Sequence, residues 1–258
     1  MKRTLALILC ILTVLPMLFS CSASKDKGAI IAVNLGEELR SYDPAKAFTD
    51  KNAAQFFELV FEGLFDISSS GKVSKALAKS YKVIEDGDEK ILEITLKDTS
   101  WNDGRQVAAN DIIYAWKRIL DPETTSEAAA LLYEIKNARE AKAGTVSIDD
   151  VGILAVGTKV LQIIFVNKNV DVDLFLETLA SPALVPLRED MISKSANWDI
   201  DASYISCNGP FYVKTIDSTA AGKDLVLERN IYFNTTVEKE TKYNKYVKPN
   251  RLIVSFGA

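Results

Sequence analysis

Two spacings of apolar residues alternate along this chain, and each predicts a different element. Residues 29–33, Ala-Ile-Ile-Ala-Val, form a short apolar run between Gly28 and Asn34, which predicts a buried strand. Pro44 holds Asp43 out of the helical region, so Ser41-Tyr42-Asp43-Pro44 interrupts the chain. From Asn52 the period becomes three and four. Phe57, Val60, Phe61 and Leu64 then share one side of an amphipathic helix of about three turns. Gly63 and Ser68-Ser69-Ser70-Gly71 end it in a loop.

Period two appears in Ile91 to Leu96, where Leu92, Ile94 and Leu96 alternate with Glu93 and Thr95. With Tyr81 to Ile84 on the other side of Glu85-Asp86-Gly87-Asp88, this predicts a hairpin. Trp101-Asn102-Asp103-Gly104 is a turn, and Asn110 is placed to cap a helix through Leu120. Its inner face is Ile112, Trp116 and Ile119, or Ile113, Trp116 and Leu120, and Asp121-Pro122 stops it. Residues 126–142 carry an alanine-rich helical pattern, Leu161 to Val166 is strand-like, and Val172 to Leu179 returns to helical spacing. Ser181-Pro182 and Val185-Pro186 mark a joint. Beyond it, Gly209 to Val213 and Leu225 to Leu227 read as strands about a turn at Ala221-Gly222, and Arg251 to Phe256 as another. The predicted class is mixed α/β with more than one layer.

The first residues fall outside this pattern. Met1, Lys2 and Arg3 precede an almost unbroken apolar run from Leu5 to Leu15, too short to span a bilayer comfortably and flanked like an export signal. Ser20 before Cys21 resembles a bacterial lipobox, in which Cys21 is acylated through its sulfur and becomes the mature N-terminus. The alternative is cleavage by ordinary signal peptidase, with Cys21 incidental. Residues 1–20 are thus read as a lipoprotein signal peptide, and 21–28, small and polar, as a flexible tether. The mature product is expected to be exported and lipid-anchored to the membrane, facing the periplasm or cell surface.

Composition narrows the chemistry. The 258 residues contain no histidine, which removes Ser-His-Asp triads, HExxH zinc sites and every imidazole base. The net charge of −4 becomes −6 once Lys2 and Arg3 leave, so no basic stripe for nucleic acid is expected. Setting aside Cys10 and Cys21 leaves Cys207 alone, so no intramolecular disulfide forms and Cys207 is read as a buried filler. Glu37, Glu38 and Asp43 could supply paired carboxylates for glycoside hydrolysis. Adjacent residues of an extended segment point to opposite faces, however, so Glu37 and Glu38 would not converge. No enzyme, metal or cofactor is expected. Trp101 and Trp116 are read as core residues, Asp43-Pro44 as a turn and Gly209 as a backbone requirement.

Several segments in order carry a family resemblance. They are Ser41-Tyr42-Asp43-Pro44, Phe61-Glu62-Gly63-Leu64, Gly71-Lys72-Val73 with Ala76 to Tyr81, and Trp101-Asn102-Asp103-Gly104 running into Asp111 to Arg118. Asp121-Pro122-Glu123-Thr124, Cys207-Asn208-Gly209-Pro210-Phe211 and Leu225 to Asn230 with Tyr232 complete the set. Together they resemble the bacterial extracellular solute-binding proteins of the peptide- and nickel-binding family, oligopeptide-binding lipoproteins among them. The resemblance implies a two-lobed clamshell that traps an extended short peptide by main-chain hydrogen bonds. It also implies delivery to the permease and ATPase subunits of an ABC importer. The alternative is a truncated relic, or a surface lipoprotein with an interaction or adhesion role.

The resemblance ends where a chain of this family crosses to its second lobe. The expectation is therefore the first lobe alone: a main subdomain of 29–60 plus 187–258 and an inserted subdomain of 61–186. The family's acidic position after Asp-Pro falls at Phe48, with Thr49 and Asp50 beside it, and its ligand-covering tyrosine falls at Ala128. These four are the implied ligand-binding residues, and Asn208, next to the returning strand, is placed to reach the cleft as a fifth.

Overall fold

The structure, a computed structural model, describes residues 29–39, 41–217, 224–233 and 247–256. The signal, the tether, Cys21 and the turn at Ala221-Gly222 lie outside the described residues. Strand β1 (Ile30–Asn34) leads to a one-turn helix α1 (Pro44–Ala47) and then to α2 (Lys51–Val60). Asp43 caps α1 by accepting from Ala45 N, with Pro44 in the first turn, where its missing N–H costs nothing. Asp50 caps α2, accepting from Asn52 N at 2.8 Å and Ala53 N at 3.2 Å. The helix begins just before Asn52 and stops at Val60. Phe61 and Leu64 leave it in extended chain yet stay buried, so the expected three-turn helix is shorter than its apolar pattern.

Where a loop was expected after Gly63, strands β2 (Phe65–Ile67) and β3 (Val73–Lys75) pair across the Ser68–Gly71 turn. The predicted hairpin is β4 (Ala78–Asp86) and β5 (Glu89–Leu96), turning at Gly87-Asp88 with Gly87 at a φ of 55°. Helix α3 (Ala109–Leu120) buries Ile112, Trp116, Ile119 and Leu120. Asn110 lies inside it and does not cap it. Asp111 does that work, its Oδ2 accepting from Ala108 N at 2.9 Å and from Trp101 Nε1 at 3.0 Å.

The alanine-rich stretch 126–142 is not one helix. A 3₁₀ turn (Glu127–Leu132) is separated from α4 (Ala138–Lys142) by Asn137, whose φ is 63°. Strand pairing explains the break. Lys136 N donates to Ile164 O and Val166 N to Glu134 O, both at 2.9 Å, so this backbone is drawn to a sheet edge. Strand β6 (Ile153–Val156), unpredicted because it is only four residues long, pairs with β7 (Val160–Ile164). Helix α5 (Val172–Thr178) is capped by Asp171, and α6 (Glu189–Ile192) follows the proline joint.

The chain closes with β8 (Phe211–Asp217), β9 (Asp224–Arg229) and β10 (Arg251–Ser255). One sheet runs β1-β10-β9-β8, with β1 parallel to β10 and the other pairs antiparallel. A second, antiparallel sheet runs β4-β5-β7-β6. A single apolar cluster that includes Phe56, Trp101, Trp116, Leu92 and Leu225 spans both. The expectation of a buried β1 is wrong: it is an edge strand, with Ile30 61% and Ile31 42% exposed. An edge strand has one sheet neighbour, so a β-branched run need not lie inside. Among the described residues no helix is long and apolar enough to cross a membrane.

Candidate functional site

The segment between α1 and α2 combines polar side chains with accessibility. Phe48 packs partly on the core, Thr49 stands exposed and Asp50 is half-buried, its Oδ1 committed to capping α2. Beside Thr49 and Asp50 is an open cavity of about 500 Å³, lined by Glu37, Ser41, Lys46, Ala47, Thr49, Asp50, Lys51 and Asn52, with Phe48 outside its lining. Asn52 Nδ2 donates to Glu37 O at 3.3 Å, closing one side. Two cations and two carboxylates share this rim, so it suits a ligand that carries both charges or neither in excess. Among the described residues no group of three or more Cys, Asp or Glu is placed to hold a metal ion.

The floor beneath this segment is buried and densely hydrogen-bonded. Asp43 is fully buried, with Oδ1 accepting from Ala45 N and from Arg118 Nη1, each at 3.0 Å, and Oδ2 accepting from Arg118 Nη2. Burial works against the Arg118 guanidinium, but its bonds to Asp43 outweigh this and hold its pKa above the usual value. The Arg118 guanidinium also lies 5.4 Å from the centre of the Trp198 ring. Ser41 Oγ accepts from Asp43 N at 3.0 Å and donates to Asp199 Oδ2 at 2.6 Å. Tyr42 packs edge-on to Phe56, ring centres 5.1 Å apart, and burial followed by the nearby Glu38 charge pushes its pKa up to about 12.

Ala128 and Asn208 lie elsewhere. Ala128 is fully buried in the 3₁₀ turn that packs against α1, its N–H donating to Ser126 Oγ, which in turn donates to Ala45 O. Asn208 is fully buried at the opposite end of α2 from Asp50. Its Oδ1 accepts from Glu62 N at 3.1 Å and its Nδ2 donates to Glu62 O at 2.9 Å, so its side chain clamps extended backbone. Gly209 fits beside it because a Cβ there would sit 2.6 Å from both Val60 C and Phe61 N. Cys207 is buried, and burial raises its thiol pKa to about 12.

The structure thus joins Phe48, Thr49 and Asp50 in one place, sets Ala128 under the neighbouring helix and removes Asn208 to the far end. Sequence reasoning missed Ser41, Lys46, Lys51 and Asn52 as rim residues. Their closeness to Asp43-Pro44 in the chain was the available signal. It also missed Arg118, whose partner lies 75 positions away.

Comparison with known proteins bears on all of this. The family model described as "Bacterial extracellular solute-binding proteins, family 5 Middle" matches residues 72–256. The oligopeptide-binding protein OppA of Bacillus subtilis (strain 168) is 35% identical over 182 residues, covering 69% of this chain and 32% of its own. The periplasmic murein peptide-binding protein MppA of Escherichia coli (strain K12) is 28% identical over 254 residues, 93% of this chain and 45% of its own. This chain therefore spans less than half the length of either relative. Among solved structures, the substrate-binding domain of an oligopeptide ABC transporter from Bacillus anthracis str. Ames superposes with a TM-score of 0.72 at 27% identity, over 88% of this chain and 41% of that one. The peptide-binding pheromone receptor PrgZ gives 0.75 at 24% identity, over 88% and 43%, a likeness of fold.

Proposed function

Given that the chain belongs to the bacterial extracellular solute-binding proteins of family 5, we propose that it serves as a substrate-capturing component of an ABC importer and takes short peptides. The observation carrying this reading is the 35% identity to an oligopeptide-binding protein over most of this chain. Phe48, Thr49 and Asp50 are the ligand-facing residues in this reading. Ala128 and Asn208 act behind them, one under α1 and the other holding the Phe61–Glu62 backbone. An extended peptide lying along main chain needs neither an imidazole nor a metal, which agrees with a sequence lacking histidine.

The layout proposed for the chain is a main subdomain of 29–60 plus 187–258, around the sheet β1-β10-β9-β8, with 61–186 inserted around the sheet β4-β5-β7-β6. Anchoring through a lipid on Cys21 is part of the same proposal, supported by the charged start and the apolar run from Leu5 to Leu15. It keeps captured solute near a permease. Radiolabelled palmitate incorporation that is lost in Cys21→Ala is the expected result; incorporation that survives the replacement overturns the anchor. Calorimetry with a mixed pool of short peptides, on a full-length version with both lobes, tests the ligand class. Heat from peptides is expected, whereas silence from every peptide beside a clear response to a non-peptide solute overturns it.

A further inference from the structure

We propose that Arg118 is a positioning residue that sets the place of the ligand-facing segment 48–50 from the opposite subdomain. This rests on the reading of Phe48, Thr49 and Asp50 as ligand-facing. Arg118 belongs to α3, in the inserted part of the chain. Asp43 and Trp198, which it contacts, belong to the other part.

The pair does more than a cap requires. An aspartate before Pro44 caps α1 on its own, exposed or not. Here the carboxylate is drawn fully inside and the guanidinium is only 16% exposed. Burying both charges costs much of what their attraction returns, so such a pair contributes little net stability. What it contributes is a fixed geometry. Two parallel N–H···O bonds define both the distance and the plane of the Asp43 carboxylate, which a lysine's point charge does not.

That fixed point is close to the site. Only the single turn of α1 separates Asp43 from Phe48, and Ala47 N and Lys46 N both donate to Asp43 O at 3.0 Å. The next link, Asp50 N to Ala47 O at 2.9 Å, carries the constraint to the cap of α2. Ser41–Asp199 and Ser126–Ala45 brace the same turn from two further sides. A shift of Asp43 therefore has no slack to absorb it before Thr49. Arg118 faces Asp43 and Trp198, so it acts through α1.

The test compares Arg118→Lys, which keeps the charge and loses the fork, with Arg118→Gln, which also loses the charge. Amide hydrogen exchange is read at Ala45, Ala47, Asp50 and Ala53, against Leu92, Ile94, Leu161 and Ile163 in the second sheet. Arg118→Lys should speed exchange about tenfold at the first group and leave the second unchanged. Affinity for the probe tri-L-alanine, measured by calorimetry on the same proteins, should fall about tenfold with no change in stoichiometry. Exchange unaltered at residues 45–53, or raised equally in both groups, overturns the proposal, since the second outcome marks a purely structural role. If Arg118→Gln fails to fold, Arg118→Lys still decides. If the parent protein binds no tri-L-alanine or other short peptide, the functional reading fails instead, and the exchange pattern alone judges Arg118.

Discussion

The two four-stranded sheets are built in opposite ways. The second sheet, β4-β5-β7-β6, takes all its strands from residues 78–164, and every neighbour is antiparallel. Its inner face is closed by Leu92, Ile94, Leu161 and Ile163, all buried, under α3 with Trp116. The first sheet joins residues 30–34 to residues 251–255 in parallel and leaves β1 with one neighbour and open side chains. Both sheets have a buried face and exposed edges, with Tyr81, Val83, Leu154 and Val156 outside on the second and Ile30 and Ile31 on the first. What separates them is that the second is assembled from local connections and the first from long-range ones. The candidate segment 48–50 follows the strand whose pairing waits for residues 30–34 to meet residues 251–255.

The largest effect should come from opening the second sheet. Ile94 is fully buried at the centre of β5, so Ile94→Ala should cost about 2–5 kcal/mol, seen as a lower urea midpoint with an unchanged slope. Next is the entry to the first sheet. Gly209→Ala places a Cβ 2.6 Å from the Val60 carbonyl carbon, against backbone that Asn208 already clamps, and should cost about 1–3 kcal/mol in thermal unfolding.

Acid should act more mildly, on the carboxyls gathered around Arg188. Bonds from Arg188 hold the Asp190 carboxyl well below the usual range. Burial pushes Asp103 upward, but its bond from Arg188 prevails and its pKa is also lowered. Carboxyls depressed on folding stabilise fully above their unfolded pKa near 4, and lose that contribution as pH falls through the folded value. Denaturant titrations should therefore show stability level above about pH 5 and declining below about pH 4. Arg188→Met should flatten this dependence, and a slope unaltered in that variant would count against the assignment. Both carboxylates are about half exposed, so the change should be modest. The smallest effect belongs to the open edge. Ile30→Ala should shift stability by less than about 0.5 kcal/mol, and a loss near that of Ile94→Ala would mean that β1 is enclosed after all.

The same contrast governs what the sequence made legible. Alternation in 91–96 after the Asp86-Gly87 turn announced the hairpin of β4 and β5 because pattern and pairing there are both local. Helix α5 was recognisable from its own spacing. The break within 126–142 was not, because it depends on a bridge from Ile135 to Phe165 that no local periodicity encodes. At the candidate site, Thr49 and Asp50 could be placed by their position after Asp43-Pro44. Asn208 could not be seen to clamp Glu62, since 146 positions separate them and the contact exists only once the sheet has formed. Arg118 stands in the last turn of α3, where a positive charge is favourable, and only the fold turns it towards Asp43.

The parallel pairing of β1 with β10 also imposes a timetable. Ile30 leaves the ribosome more than two hundred residues before Arg251, the residue it will pair with. At about 5–20 residues per second, the first strand waits on the order of 10–40 seconds for its neighbour. Through that interval Ile30-Ile31-Ala32-Val33 is an apolar, unpaired ribbon open to any strand that arrives sooner. Productive maturation of this chain is therefore a race between elongation and premature pairing. Conditions that slow translation late in the message, or withdraw the chaperones that shield the early segment, should lower the yield of soluble protein without changing the stability of what does fold.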